Sequence, residues 1–474
     1  MVKYIAKYWV IVASMMLVFV SSCTKDYPKN MDSPDEVVLK SIKIVNAGAA
    51  GNTVVEGTID EDKKTVSFPR LSTETDFSQI RFEAEMSNGA KLDQPSYAFN
   101  FAEGESAKSQ VIKVVNNKRF REYMVTLRLL VPVFGADFGK PTIFDYTNNS
   151  LGNPIYPGFV STLIRGTGFD GEHVLIVQRT STVSKPHLLK VSDLKQNIIS
   201  PIYLNMTGVA GGTFDVNVGA QVNGHTYIAN LSSNSAGSPI KIYHWTDPTA
   251  APQLITNFGA IAGAGTRYGD NMSVNLDENG NGSIYLGDQA ISKIVRFTVT
   301  NYTTVSDPIV LPNATGSSVA MSFNQVGNSA DYIYTGFDAP IRLASESAAI
   351  SYSLSNTAVS MRGCDARVIT FNDERYLIMT TAARYASDAV VLYVYDITKG
   401  STTAEALQLF NERTDKSPVF QYSLLGPVNT AAITQTGWHV TKDADGKDDK
   451  LTLYSASTDA GFVIIDFPKK SLDD

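Results

Sequence analysis

The sequence predicts an all-β protein: an immunoglobulin-like β-sandwich followed by a β-propeller. Three observations carry that expectation. Short runs alternate apolar and polar residues between Gly, Asn, Asp and Pro turns. From Val174 onward an imperfect repeat recurs about every 50 residues, each unit built only of strand-like runs. Only 18% of the residues are charged, and small polar residues are abundant, as in extracellular β-rich chains.

The N-terminus reads as a lipoprotein signal peptide over residues 1–22. Lys3 and Lys7 form a positive start, and Tyr8–Phe19 is an apolar run too short to span a bilayer, which needs about 20 such residues. The run ends in Val20-Ser21-Ser22-Cys23, the order of a lipobox, in which the cysteine sulfur takes the lipid. A plain secretory signal with an accidental cysteine is the alternative. With Cys23 lipidated, the chain's other cysteine, Cys364, has no partner, so stability must come from core burial instead of disulfides. Thr24, not Asp, follows the lipobox cysteine, which gives no inner-membrane retention signal and points to an outer-membrane lipoprotein, anchored by lipid and facing the exterior. Forty basic residues against 47 acidic ones, with no basic block, make nucleic acid an improbable partner on electrostatic grounds.

Residues 23–36 are polar and aperiodic and read as a flexible tether. Over 37–130 seven runs follow: VVLKSIKIV, NTVVEGTI, KTVSF, IRFEAEM, SYAFNF, QVIKVV and REYMVTLRL. That number in under 100 residues predicts an antiparallel sandwich of immunoglobulin type, although the Cys…Trp…Cys core of antibody domains is absent. The opening LKSIKIV, the middle TETDFSQIRFEAEMSNGA and the closing REYMVTLRL resemble the Ig-like modules that follow the lipid anchor in surface lipoproteins of Bacteroidota. The resemblance implies a spacer.

Residues 131–141 (VPVFGADFGKP) read as a linker. Over 142–474 the repeat units begin at Val174, Thr226, Ser283, Tyr332, Tyr376 and Leu451. Six units predict six propeller blades, and the longer gap before Leu451 leaves room for a seventh or for an insertion around NERTDKSPVFQYSLLGP. From about Phe134 the chain resembles a propeller family of unknown function found in the same class of lipoproteins. That resemblance implies no chemistry.

Propellers bind ligands near the starts of their inner strands. The expected inner strands DVNVGAQ, NMSVNLD, SVAMSFN, DARVITF and NTAAITQ start at Asp215, Asn271, Ser318, Asp365 and Asn429, all polar, and Arg165 precedes the first unit. Such a ring suits a hydrated ligand such as a glycan, because carboxylates and amides offer acceptors and donors to hydroxyls. Turn preference explains the same residues without a ligand. Asp277, Asn279 and Asn281, followed by Asp288, match the alternating oxygens of a calcium loop, and an Asn-Gly hairpin explains the same letters.

The five histidines have no zinc-ligand spacing, and no nucleophile elbow, P-loop or dinucleotide fingerprint is present; Gly166-Thr167-Gly168 lacks the required strand–helix context. His244-Trp245 and Trp438-His439 set an indole beside an imidazole, suited to sugar stacking or to core packing. The expected function is therefore a non-enzymatic surface module that binds a glycan or another extracellular partner, within an outer-membrane nutrient-uptake system. The enzymatic alternative is a polysaccharide hydrolase or lyase acting at the same mouth, and a structural subunit of a transporter complex is a third reading.

Overall fold

The computed structural model describes residues 35–102, 104–147, 156, 159, 164–179, 184–290, 292–312, 320–426 and 428–471. The expected signal peptide, Cys23, the tether through residue 34 and Ser318 lie outside the described residues. The chain is all-β with many small sheets and divides into two compact units, Met1–Pro132 and Val133–Asp474.

In the first unit, strand Leu39–Ala47 lies between Thr53–Glu56 and Phe82–Met86 in a three-stranded sheet. A second sheet is built on the hairpin Ala107–Asn116 and Arg119–Leu130, whose register runs unbroken from Ala107 opposite Arg128 to Asn116 opposite Arg119. Alternation on Arg119–Leu130 is strict in its middle: Tyr123, Val125 and Leu127 are buried, while Met124 and Arg128 face outward. The buried side meets Ile42, Ile44 and Phe99 in one core.

Three local expectations differ. The run NTVVEGTI breaks at Gly57 into two strands of different sheets, Thr53–Glu56 and Thr58–Asp60. A Cβ at Gly57 would lie 2.8 Å from the Phe68 ring, so only glycine lets the chain cross there. Thr65–Ser67 and Leu71–Ser72 pair parallel to Arg119–Leu130, so the unit is not purely antiparallel. SYAFNF contributes only a bridge from Tyr97 to Ile80. Its Tyr97 and Phe99 fill the core from an irregular segment, with Tyr97 Oη donating to Asp93 at 2.7 Å.

Among the described residues the second unit contains six antiparallel sheets, numbered I to VI. The inner strands are Gly166–Phe169, Phe214–Val222, Ser273–Leu276, Met321–Gln325, Gly363–Phe371 and Thr434–Lys442. Each inner strand touches the next, and the inner strand of VI returns to that of I, so the sheets form a closed, propeller-like ring. The ring is closed by the first and last strands of this unit: Thr142–Thr147 pairs with residues 461–466 of Gly461–Pro468, Thr142 opposite Asp466 and Thr147 opposite Gly461, and completes sheet VI.

Burial follows from this stacking. A sheet between two neighbours is covered on both faces, so its second strand is a continuous apolar run instead of an alternating one. In sheet I, Val174 and Ile176 enter the core shared with VI, while Leu175 and Val177 enter the core shared with II. The same division recurs around the ring, giving one apolar core at each of the six sheet interfaces.

Two segments depart from expectation. Within the expected linker 131–141, Ala136 is fully buried and Phe138 packs against Tyr376 and Phe467 of sheets V and VI. The Ala136 amide donates to Tyr376 Oη at 3.0 Å, so the middle of this stretch, around Ala136 and Phe138, is core, while Val131 and Phe134 before it are exposed. The long gap before Leu451 holds a helix, Thr403–Glu412, and no seventh sheet among the described residues. Thr402 caps the helix by accepting from the Glu405 amide, and Ala406, Leu407 and Phe410 bury its inner face.

Candidate functional site

Every inner strand contributes to one cavity of about 850 Å³. Its wall is mostly small and polar, including Gln221, Asn271, Ser273, Ser322, Asp365 and Thr436, with Trp438 and His439 on one side. The polar lining follows from the ring. Inner strands turn one face toward the axis, where no neighbouring sheet covers it.

At one side of the cavity sheets I and II approach closely. A Cβ on Gly168 would lie 2.3 Å from the Gln221 nitrogen, and one on Gly166 would lie 2.7 Å from that of Gly219. Gly166-Thr167-Gly168 is thus a close-approach strand. Across the same gap Gln435 of sheet VI accepts from the Thr167 amide at 2.6 Å and donates to the Gly219 carbonyl at 3.1 Å.

The residues expected to form a polar ring do not share one role. Asp365 lines the cavity but is buried; its two oxygens accept from Asn324 Nδ2 at 2.6 Å and the Thr436 amide at 2.8 Å, joining sheets IV, V and VI. Asn271 also lines it. Its Oδ1 accepts from the Gly287 amide at 2.8 Å, while its Nδ2 is buried without a hydrogen-bond partner. Asp215 accepts from Ser184 Oγ at 2.7 Å and is not part of the cavity wall. Asn429 lies in the turn before its strand, where it caps the Ala431 amide and donates to Asp459, so the inner strand of sheet VI starts five residues later than expected. Arg165 pairs with Asp270 at 2.6 Å.

The calcium pattern is not assembled. Asp277 Oδ1 accepts from the Asn279 and Asn281 amides in a hairpin turn, whereas Asp288 follows the strand Gly282–Gly287 and accepts from Ser292 and Lys293. A six-residue strand separates the two by about 20 Å. Asp277 and Asp288 are therefore at opposite ends of sheet III.

Asp215 and Asp365 do not share the cavity, since only Asp365 lines it. They belong to sheets II and V, and each is held by its own donors. His244 and Trp245 are buried, with the indole donating to the Asn205 carbonyl at 3.0 Å. His225 Nδ1 and His244 Nε2 are 2.8 Å apart, and burial followed by the charge of His225 holds His244 down to about 4. Burial pushes the Cys364 thiol up to about 12, which keeps it un-ionised at neutral pH although it borders the cavity. Among the described residues no group of three or more His, Cys, Asp or Glu could hold a metal, and no helix is long and apolar enough to cross a membrane.

Sequence reasoning missed Gln221, Ser273, Ser322, Gln435 and Thr436 as cavity-lining residues. All five are polar residues of the inner strands themselves, whereas the expected ring was placed on the residues where those strands were thought to start.

Taken together, the fold and cavity define an all-β, propeller-like protein with a polar axial pocket. The chain belongs to the family described as Domain of unknown function (DUF4623), whose model matches residues 25–470. A solved DUF4623 family protein from Bacteroides eggerthii DSM 20697 is similar, at 43% identity and TM-score 0.78, covering 92% of this chain and 99% of that one. BamB from Moraxella catarrhalis is 10% identical, with TM-score 0.32, and covers 65% and 83%. The WD40 domain of Toxoplasma gondii coronin is 9% identical, with TM-score 0.37, and covers 72% and 90%. No protein of curated function matches the chain.

Proposed function

We propose that this protein is a non-catalytic binding module whose ligand occupies the axial cavity of a six-bladed β-propeller. The observation that carries this reading is the cavity itself: about 850 Å³, walled by all six inner strands and rich in amides and hydroxyls. That volume falls in the range of small-molecule sites, and such groups match a hydroxyl-rich ligand such as a glycan. Asn271 Nδ2 supplies a buried donor with no partner in the protein, the kind of group that a ligand acceptor satisfies. Trp438 lines the same wall and offers an apolar face for a sugar ring.

In this reading the N-terminal unit is an Ig-like spacer. The lipobox at Cys23 anchors the protein to the outer membrane, facing outward, and the module serves a nutrient-uptake complex. A glycan array with the full chain in detergent is the test. Binding that is lost in Asn271→Ala supports the reading, and silence across plant, host and microbial glycans overturns the sugar assignment. Protease shaving of intact cells tests the surface location. Co-purification with a transporter in mild detergent tests the complex.

A further inference from the structure

At the end of the ring where the inner strands start, four arginines gather around one carboxylate. Arg165 precedes the inner strand of sheet I, and Arg179 follows that sheet's second strand, His173–Val177. Arg267 and Asp270 lie on the segment entering sheet III. Arg384 follows the second strand of sheet V, Glu374–Thr381. First and second strands are antiparallel, so all five residues belong to the same end of the ring. Sheets I and III are not neighbours, yet Arg165 Nη1 reaches Asp270 Oδ1 at 2.6 Å, which carries the pair across the mouth. Arg267 grips the same carboxylate through Nε at 2.8 Å and Nη2 at 3.2 Å.

The other two guanidinium groups have no carboxylate within ion-pair distance among the described residues. Arg179 is 6% exposed, lies 4.0 Å over the Phe214 ring and donates to the Asn217 side-chain oxygen. Arg384 is half-buried and donates to the Ala432 carbonyl at 2.8 Å. Arg165 Nε is buried without any partner. Burial, and then the charge of Arg165, pull Arg179 down to about 10, and Arg384 is lowered by burial and also by Arg165. At neutral pH a guanidinium nevertheless stays charged. Asp388 accepts from the Arg384 amide at 3.2 Å, but its charge is taken up by Arg362 at 2.9 Å. Arg165, Arg179, Arg267 and Arg384 therefore share Asp270 as their carboxylate, an excess of positive charge that neutral acceptors only partly offset, and unpaired buried charge is costly.

We propose that this mouth is an anion-binding site, in which Arg165, Arg179 and Arg384 hold an oxyanion group of a ligand: a carboxylate, sulfate or phosphate. Planar guanidinium forks match such groups in charge and geometry. The site lies beside Asn271 and Cys364 of the cavity wall and does not depend on whether a glycan fills that cavity.

Thermal unfolding and calorimetric titration of the full chain test the proposal at constant ionic strength, with sodium sulfate, sodium glucuronate and neutral glucose as probes against chloride. A saturable rise in Tm with sulfate or glucuronate and none with glucose is expected. Arg179→Gln and Arg384→Gln should each weaken anion binding by about tenfold or more. In chloride alone Arg384→Gln should be no less stable than wild type, because one like-charge repulsion is gone. A response to sulfate alone assigns a sulfate or phosphate group, and a response to glucuronate assigns an acidic sugar. If neither anion gives a saturable rise, or if the rise is the same in wild type and both variants, the proposal is wrong. Should Arg179→Gln fail to fold, the half-buried Arg384 site carries the comparison.

Discussion

The Thr167 amide of sheet I donates to Gln435 Oε1 of sheet VI at 2.6 Å, across the seam where the last sheet of the ring meets the first. The same Gln435 donates to Gly219 of sheet II, so one side chain ties three sheets together. Gln435→Ala leaves the Thr167 amide without its acceptor and should destabilise the second unit by about 1–2 kcal/mol. Urea unfolding measures this. An unchanged midpoint would mean that water replaces the amide at no cost.

The close approach of sheets I and II makes Gly168 a sharp test of packing. Gly168→Ala drives a methyl against the Gln221 nitrogen at 2.3 Å, backbone that cannot move independently of its strand. A loss of about 2–3 kcal/mol is expected. Gly237→Ala, where a Cβ meets nothing within 4 Å, should stay within about 0.5 kcal/mol. Equal Tm values for the two variants would contradict the contact.

Asp365 accepts from Asn324 and from the Thr436 amide, so its charge sits among donors. Asp365→Asn turns one of its oxygens into a donor facing a donor, and should cost about 2 kcal/mol even without ligand. Were Asp365 chiefly a ligand contact, stability would hold and only binding would fall. Denaturation of the ligand-free variant separates the two.

His244 gives a pH dependence. Its folded value is held down to about 4, against an ordinary 6.5, by burial and by His225. Between those values the unfolded chain takes up a proton that the folded chain refuses. Stability is therefore full above pH 6.5 and falls as the pH drops toward 4, by on the order of 1–2 kcal/mol from this residue. His244→Gln should flatten that part of the curve in urea titrations between pH 7.5 and 4.5. A variant with the wild-type slope would exclude His244 as the cause.

The six repeat units were legible because each second strand carries an apolar run buried on both faces, unbroken in Val174–Val177 and Ile284–Leu286, that interrupts an otherwise polar sequence. The helix Thr403–Glu412 was readable too, through Thr402 and Glu405 at capping-box spacing, but its short length hid it among strand signals. SYAFNF alternates like a strand, yet it serves as core filler, because Tyr97 and Phe99 bury without needing a ladder. Of the expected ring, Asn271 and Asp365 reach the cavity. Asp215 and Asn429 serve turns and loops, a choice that depends on neighbours far along the chain.

Hydrophobic pattern alone determined the all-β class and the repeat, and left six or seven sheets open, because burial on one or both faces of a strand leaves its mark on consecutive residues. Ring closure was decided by tertiary structure: Thr142–Thr147 finds Gly461–Pro468 only once all six sheets have turned through the circle. The same holds for the meeting of Arg165, Asp270 and Arg384, which local sequence does not relate. Charges come together there because antiparallel register puts strand starts and strand ends at one mouth, and the curvature of the ring brings alternate sheets across it.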